Sequence, residues 1–444
     1  MELANVDLPK DWQVMPIRNA YTFTKKPRGL SIDDDGVVPF LPMEAIPLGR
    51  LRVSEFEERR GSALTSGTYI ENGDLLVAKI TPSFENGKQA IVDWKKPFGF
   101  ATTEVIPIQE IEGVSDKFFL FHLLLHPAIR SDLAGKMDGT TGRQRLSKEV
   151  FGSRLIPLPP LPEQRKIAGV LGLVQRAVGQ QERLIALTAE LKKALLHQLF
   201  TQGLRHEPQK QTELGPIPQS WEMAELGNAV EQIDYGISAP IPKTAPENGV
   251  KIVSTADITK DGRLLYHQIR RIEAPGKTVK RLTLRSGDVL FNWRNSAELI
   301  GKSAVFQEQD EPHVFASFIL RIKCGEKNSH NFFLMHLMNH FRETQVFVKL
   351  ARRAVNQANY NRNEISVLKI ALPSYEEQRE IADAVGAVDV KMANHRCKHA
   401  ALSKLFRTLL HELMTARIRV NNLDLLDLGL ELEPASLETP TLNG

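Results

Sequence analysis

The chain has 444 residues, 42% hydrophobic and 25% charged, the balance of a globular protein of two to four domains at roughly 100–200 residues each. Two cysteines, Cys324 and Cys397, exclude a disulfide scaffold and a CxxC zinc site. The opening residues lack a basic, apolar leader and the most apolar window, 118–125, is broken by His122 and far too short to span a bilayer, so a cytoplasmic protein with no membrane partner is expected.

The first segment, 1–157, carries short apolar runs at 70–80 and 90–92 between Gly, Pro, Asn and Asp, which predict strands, and a helical pattern at 116–125. Proline punctuation from Pro157 to Pro162 opens a long helix over 158–205. Its apolar residues follow a seven-residue rhythm through Ile167, Leu171, Val174, Leu191, Leu195 and Leu199. A second variable segment, 206–371, predicts strands at 251–254, 288–291 and 303–306 and a helix over 331–350. A second long helix over 372–419 has the seam Ile381, Val385, Val388, Leu405, Leu409 and Leu413. The last stretch, 420–444, holds five acidic residues (Asp424, Asp427, Glu431, Glu433, Glu438) and no Lys or Arg, so the net +4 is +9 on the body less 5 on a poorly packed tail.

These pieces are two copies of one unit. At a constant offset of 214, Leu158/Leu372, Pro159/Pro373, Glu163/Glu377, Gln164/Gln378, Arg165/Arg379, Ile167/Ile381 and Ala168/Ala382 are identical, as are His197/His411 and Leu199/Leu413. The same offset pairs the Gly73-Asp74 and Gly287-Asp288 turns, and Trp12 and Trp221 open the two halves. Gln181 and His395 interrupt the seams at matching core positions, where a polar residue either fixes register or faces another subunit. The fold expected is α+β: two mixed α/β domains and two long helices that pair as an antiparallel coiled coil, in a pseudo-two-fold repeat.

Catalytic signatures are missing. Gly276-Lys277-Thr278 and Gly301-Lys302-Ser303 end like phosphate-binding loops but have Arg271 and Ser296 where the leading glycine belongs. The histidines form no metal-spaced set. Asp74, Asp93 and Lys95 resemble a nuclease carboxylate–carboxylate–lysine set, loosely spaced and without a counterpart in the second copy. Three paired places suit nucleic acid instead, one of them the early loop Lys25-Lys26-Pro27-Arg28 in the first copy with Lys280-Arg281 further along the second. Lys79 and Thr81 follow the first Gly-Asp strand, and Asn292, Trp293 and Arg294 follow the second. Arg143, Gln144 and Arg145 precede the first proline segment, and Arg352, Arg353, Asn356 and Gln357 precede the second. Cations and amides at these places match phosphate and base-edge chemistry.

With these motifs in hand, the chain resembles the specificity subunits of type I restriction–modification systems over nearly its full length. The resemblance rests on Leu158-Pro159-Pro160-Leu161-Pro162-Glu163-Gln164-Arg165-Lys166-Ile167-Ala168, its weaker second copy from Leu372 to Ala382, the Glu213–Trp221 opening of the second half, and the Thr140–Ser147 loop. It implies two target recognition domains reading a bipartite, asymmetric site in double-stranded DNA, with the long helices as spacer. It also implies partners: two methyltransferase (modification) subunits that bind S-adenosylmethionine and methylate adenine at N6, and restriction/translocase subunits using ATP and Mg. The chain itself would hold no cofactor or metal and catalyse nothing. A coiled-coil scaffold binding proteins, and an autonomous nuclease using Asp74, Asp93 and Lys95, are the other readings.

Overall fold

The computed structural model describes residues 8–421 except Thr141, Lys243, 326–327, 348–351 and 355–356; of 352–354 and 357–359 it describes the backbone alone. Asn356 and the acidic residues from Asp424 onward therefore lie outside the described residues. Contacts cluster into two units, residues 1–184 with 395–444 (unit 1) and residues 185–394 (unit 2). Each unit joins one variable segment to a piece of both long helices, Leu161–Gln202 and Tyr375–Met414.

Unit 1 has a five-stranded sheet in the order Tyr21–Phe23, Val105–Glu110, Leu75–Ala78, Gln89–Val92, Arg52–Val53. Unit 2 repeats the first four places with Val230–Tyr235, Ile319–Cys324, Val289–Asn292 and Ser303–Val305. A smaller sheet beside each contains one parallel pair: Val37–Leu41 with Phe98–Ala101 in unit 1, Val250–Val253 with His313–Phe315 in unit 2. Parallel pairing needs a crossover rather than a hairpin, which is why these short strands are far apart in sequence.

The run 70–80, expected as one strand, is two: Thr68–Glu71 and Leu75–Ala78. Gly73 takes φ +89°, a left-handed turn that a side chain would strain, and the buried Asp74 carboxylate accepts the Glu71 N–H at 2.8 Å. Unit 2 turns identically, with Gly287 at φ +95° and Asp288 accepting the Arg285 N–H at 2.9 Å. The helix expected over 331–350 stops earlier, spanning Asn331–Glu343; Gln345 at φ +60° cannot continue it.

The Glu-Gln motif fastens each long helix to its own domain. Gln164 accepts the Asp116 N–H at 2.9 Å and donates to the Val114 and Pro159 carbonyls at 3.0 and 2.8 Å. Gln378 accepts the His330 N–H at 2.8 Å and donates to the Asn328 and Pro373 carbonyls at 3.2 and 3.1 Å. Every partner sits at the same 214-residue offset. Both side chains are fully buried, so each amide is saturated by backbone groups that would otherwise go unpaired.

Within unit 1 the helix pieces run antiparallel. Gln181 meets His395 at 2.9 Å, Glu182 meets His399 at 3.1 Å, and Glu163 accepts Arg419, which also bonds Asp11. In unit 2, Lys192 donates to Asp389 at 2.6 Å and the Leu204 N–H to Glu377 at 3.1 Å. Ile167, Leu171, Val174, Leu199, Ile381, Val385 and Leu413 are buried as the seam requires, while Leu195, Val388 and Leu409 are half-buried. Leu191 and Leu405, equivalent in the repeat, are not in it: they are 55% and 45% exposed. Thr188 and Lys192, three heptads after Ile167 and Leu171, keep the seven-residue register and are buried, whereas Leu191 lies off it.

Candidate nucleic-acid interface

In unit 1 two of the segments singled out by sequence come together. The Thr81 N–H donates to the Gln144 carbonyl at 3.0 Å, the Leu146 N–H to the Lys79 carbonyl at 2.7 Å, and Ile80 bridges Arg145. The loop is closed at its base by mutual Asp138–Arg145 backbone bonds of 2.8 and 3.1 Å, and Gly142 turns it at φ +83°. Arg143 is exposed at the tip and Gln144 half-buried. Arg145 forks onto the Glu104 carboxylate at 2.9 and 2.8 Å, so it braces the loop with its charge half-spent on Glu104. The Thr81 hydroxyl is buried and has no partner among the described residues.

The patch is larger than these segments. Glu104 is held below the usual carboxylate range by Arg145, with Lys79 contributing. Lys148 is pushed down by burial and by the like charges of Lys79 and Lys25. The crowding of Lys148 by two other lysines marks a site that an anion would relieve. Lys25 and Lys148 lie 54 and 69 residues from Lys79 in the chain, and only the fold assembles them. No local motif marks Lys148.

Unit 2 makes the same junction by a different route. Arg294–Asn295 pairs antiparallel with Gln357–Asn359, which pairs with Arg352–Ala354, so both segments form one three-stranded sheet. Asn292 is not on its surface. It is wholly buried, and its amide donates to the Leu299 carbonyl at 3.2 Å, a structural position at the end of a buried strand. Trp293 is half-buried, its Nε1–H donating to the Ser317 carbonyl at 2.7 Å, and Arg294 is exposed.

The catalytic alternatives find no support in the geometry. Asp74 accepts Thr24 Oγ1 at 2.8 Å, and burial raises its pKa to about 6. Asp93 pairs instead with Arg52 at 2.9 Å. Lys302 is buried with its ammonium on the Thr255 and Ile258 carbonyls at 2.6 and 2.5 Å. Among the described residues no group of three or more His, Cys, Asp or Glu is placed to hold a metal ion, and no helix is long and apolar enough to cross a membrane.

The family model for the type I restriction modification DNA specificity domain matches residues 9–188 and again 218–403. The chain belongs to the type I specificity subunits. The MjaVIII specificity subunit of Methanocaldococcus jannaschii is 25% identical over 433 residues, 95% of this chain and 96% of that one. The EcoAI specificity subunit of Escherichia coli is 30% identical over 196 residues, 44% of this chain and 31% of its own length. Among solved structures, the S subunit of a type I system from M. genitalium aligns with a TM-score of 0.58 at 14% identity, covering 92% of this chain and 96% of that one. A chain of another type I system gives 0.54 at 20% identity, covering 92% and 98%. The general role of this specificity subunit is DNA sequence recognition.

Proposed function

We propose that each unit's variable segment is a target recognition domain, 1–157 and 206–371, reading one half of a bipartite, asymmetric site in double-stranded DNA. The helical segments 158–205 and 372–419 set the spacing between half-sites. The observation that carries this reading is the repeated junction: in both repeats the segment after the Gly-Asp turn and the segment before the proline motif share one surface, and those two surfaces carry unlike side chains. A scaffold that binds one partner twice has no use for that divergence.

The subunit directs catalytic partners and catalyses nothing itself. Two methyltransferase subunits would bring S-adenosylmethionine and methylate adenine at N6; restriction/translocase subunits would use ATP and Mg in the cytoplasm. Leu191 and Leu405, each exposed and each at the same place in the repeat, supply one apolar docking point per unit, which suits two copies of one partner. The test is methylome sequencing of a host carrying the whole system, before and after residues 1–155 are exchanged for those of another specificity subunit. One half-site should change and the other persist. Changes in both, or in neither, would refute independent readers.

A further inference from the structure

One backbone contact is repeated in both domains and carries opposite chemistry. In unit 1 the Lys79 N–H donates to the Glu104 carbonyl at 2.9 Å, amid Lys25, Lys148 and Arg145. In unit 2 the same bond runs from the Trp293 N–H to the Phe318 carbonyl at 3.3 Å, again at an offset of 214, and the surface there is aromatic. Phe318 is 46% exposed and Tyr235 38%. Trp293 stands edge-on to both rings, 5.5 Å from Tyr235 and 6.2 Å from Phe318. Its hydrogen bond to the Ser317 carbonyl fixes the indole beside Phe318. The Arg294 guanidinium lies 5.2 Å from the Phe318 ring centre, a cation on the aromatic surface.

Beside Phe318 opens a cavity of about 260 Å³ lined also by Ser254, Thr255, Arg270 and Ser317. It is smaller than the roughly 300–1,000 Å³ of drug-sized ligand sites, so it suits one flat ring. Ala239, Ile241 and Ala316 give it an apolar wall. The Ser254 hydroxyl already donates to Asp257 at 2.7 Å, which leaves Thr255, Ser317 and Arg270 to meet the edge of that ring. An exposed phenyl group beside hydroxyl groups and two arginines matches a nucleobase better than an apolar protein surface, because stacking uses the ring and the cations use the phosphates.

We propose that Phe318 is a base-stacking residue of the second recognition domain: its ring contacts a base at an opened step of the half-site, and the adjoining cavity takes that base's edge. The first domain, by contrast, holds its half-site mainly through lysine–phosphate contacts. This rests on the DNA-reading function proposed above.

The test uses the full chain assembled with its methyltransferase subunits and a duplex bearing the site mapped by methylome sequencing. 2-Aminopurine is placed at successive positions of the second half-site, and Kd is measured across a salt series. Phe318→Ala should weaken binding roughly 10- to 100-fold, leave the salt slope unchanged and abolish a 2-aminopurine signal seen with the unaltered chain. Phe318→Trp should keep that signal. Lys79→Ala should instead lower the salt slope by about one. Phe318→Leu, which preserves apolar bulk and so guards against misfolding, should behave like Phe318→Ala; full affinity in the leucine variant would overturn stacking. If Phe318→Ala binds normally while Lys79→Ala binds weakly, the stacking proposal falls and DNA reading stands. If the assembled, unaltered complex binds no DNA, both fall.

Discussion

Gln164 and Gln378 make the same three hydrogen bonds in unit 1 and unit 2. Lys79 and Trp293, at equally matched positions, share only a backbone bond. The glutamines satisfy buried main-chain groups, and no other side chain offers a carbonyl and two N–H donors of that length. At position 79 the backbone already satisfies itself, and at position 293 the indole instead packs under an aromatic surface, so the side chains can diverge with the ligand. Repetition at the two glutamines marks where a side chain serves the main chain. Divergence marks where it faces outward.

The largest way to break that contrast is to remove a clamp. Gln164→Ala leaves the Asp116 N–H and the Val114 and Pro159 carbonyls without this partner, and the loss should be about 2–4 kcal/mol, confined to unit 1 in hydrogen exchange. Gln378→Ala should do the same to unit 2 through the His330 N–H. Unchanged exchange in either unit would show that the repeated glutamines are not structural.

Acid sharpens the comparison. In unit 1, burial lowers the pKa of His122 and His126 to about 4 each. In unit 2, burial takes His336 to about 3 and His340 to about 4, and lowers His313 and His330 as well. A histidine depressed in the folded state binds its proton more readily when unfolded, so its stabilising contribution is present above about pH 6.5 and lost as pH falls toward 4. Asp74 runs the other way. Its folded pKa of about 6 exceeds the unfolded value, so protonation between pH 6 and 4 favours the folded state, by roughly 2 kcal/mol. Asp288 is also raised by burial, but the buried Arg321 guanidinium, 3.9 Å away, opposes the shift. Unit 2 should therefore open first on acidification, and Asp74→Asn should bring unit 1 closer to it. Pulsed hydrogen exchange from pH 7 to 4 reads both, and earlier opening of unit 1 would contradict the assignment.

Much of this division was legible in the sequence, because a constant offset and a heptad rhythm are one-dimensional signals. So were the paired loops, since cations and amides recur at matched distances from a turn and a proline motif. What stayed hidden depends on burial. Asn292 reads as a contact residue from its neighbours Trp293 and Arg294, yet it ends a strand whose four residues are all buried. Leu191 and Leu405 read as seam residues by their type, yet each lies 24 residues after Ile167 or Ile381 and so off the seven-residue register. Lys148 joins the cation patch across 69 residues of chain, and Phe318 sits beside Trp293 only because two strands align.

The smallest expected effect concerns the place where the repeat meets itself. Gln181 and His395 are equivalent residues, and they bond each other at 2.9 Å. In an antiparallel pair, equivalent positions meet only at the centre of the pseudo-two-fold, so this contact marks a single register. A one-turn slip would separate them and leave polar groups facing apolar neighbours. A polar pair at a core position trades stability for a single register. Replacing both with leucine should thus stabilise the helix pair slightly, by up to about 1 kcal/mol in denaturant unfolding. On the proposed reading it should also loosen the register, seen in methylome data as a second spacer length beside the first. A double-leucine variant that is less stable, and still methylates at a single spacing, would mean that the Gln181–His395 bond contributes affinity between the helices and no register.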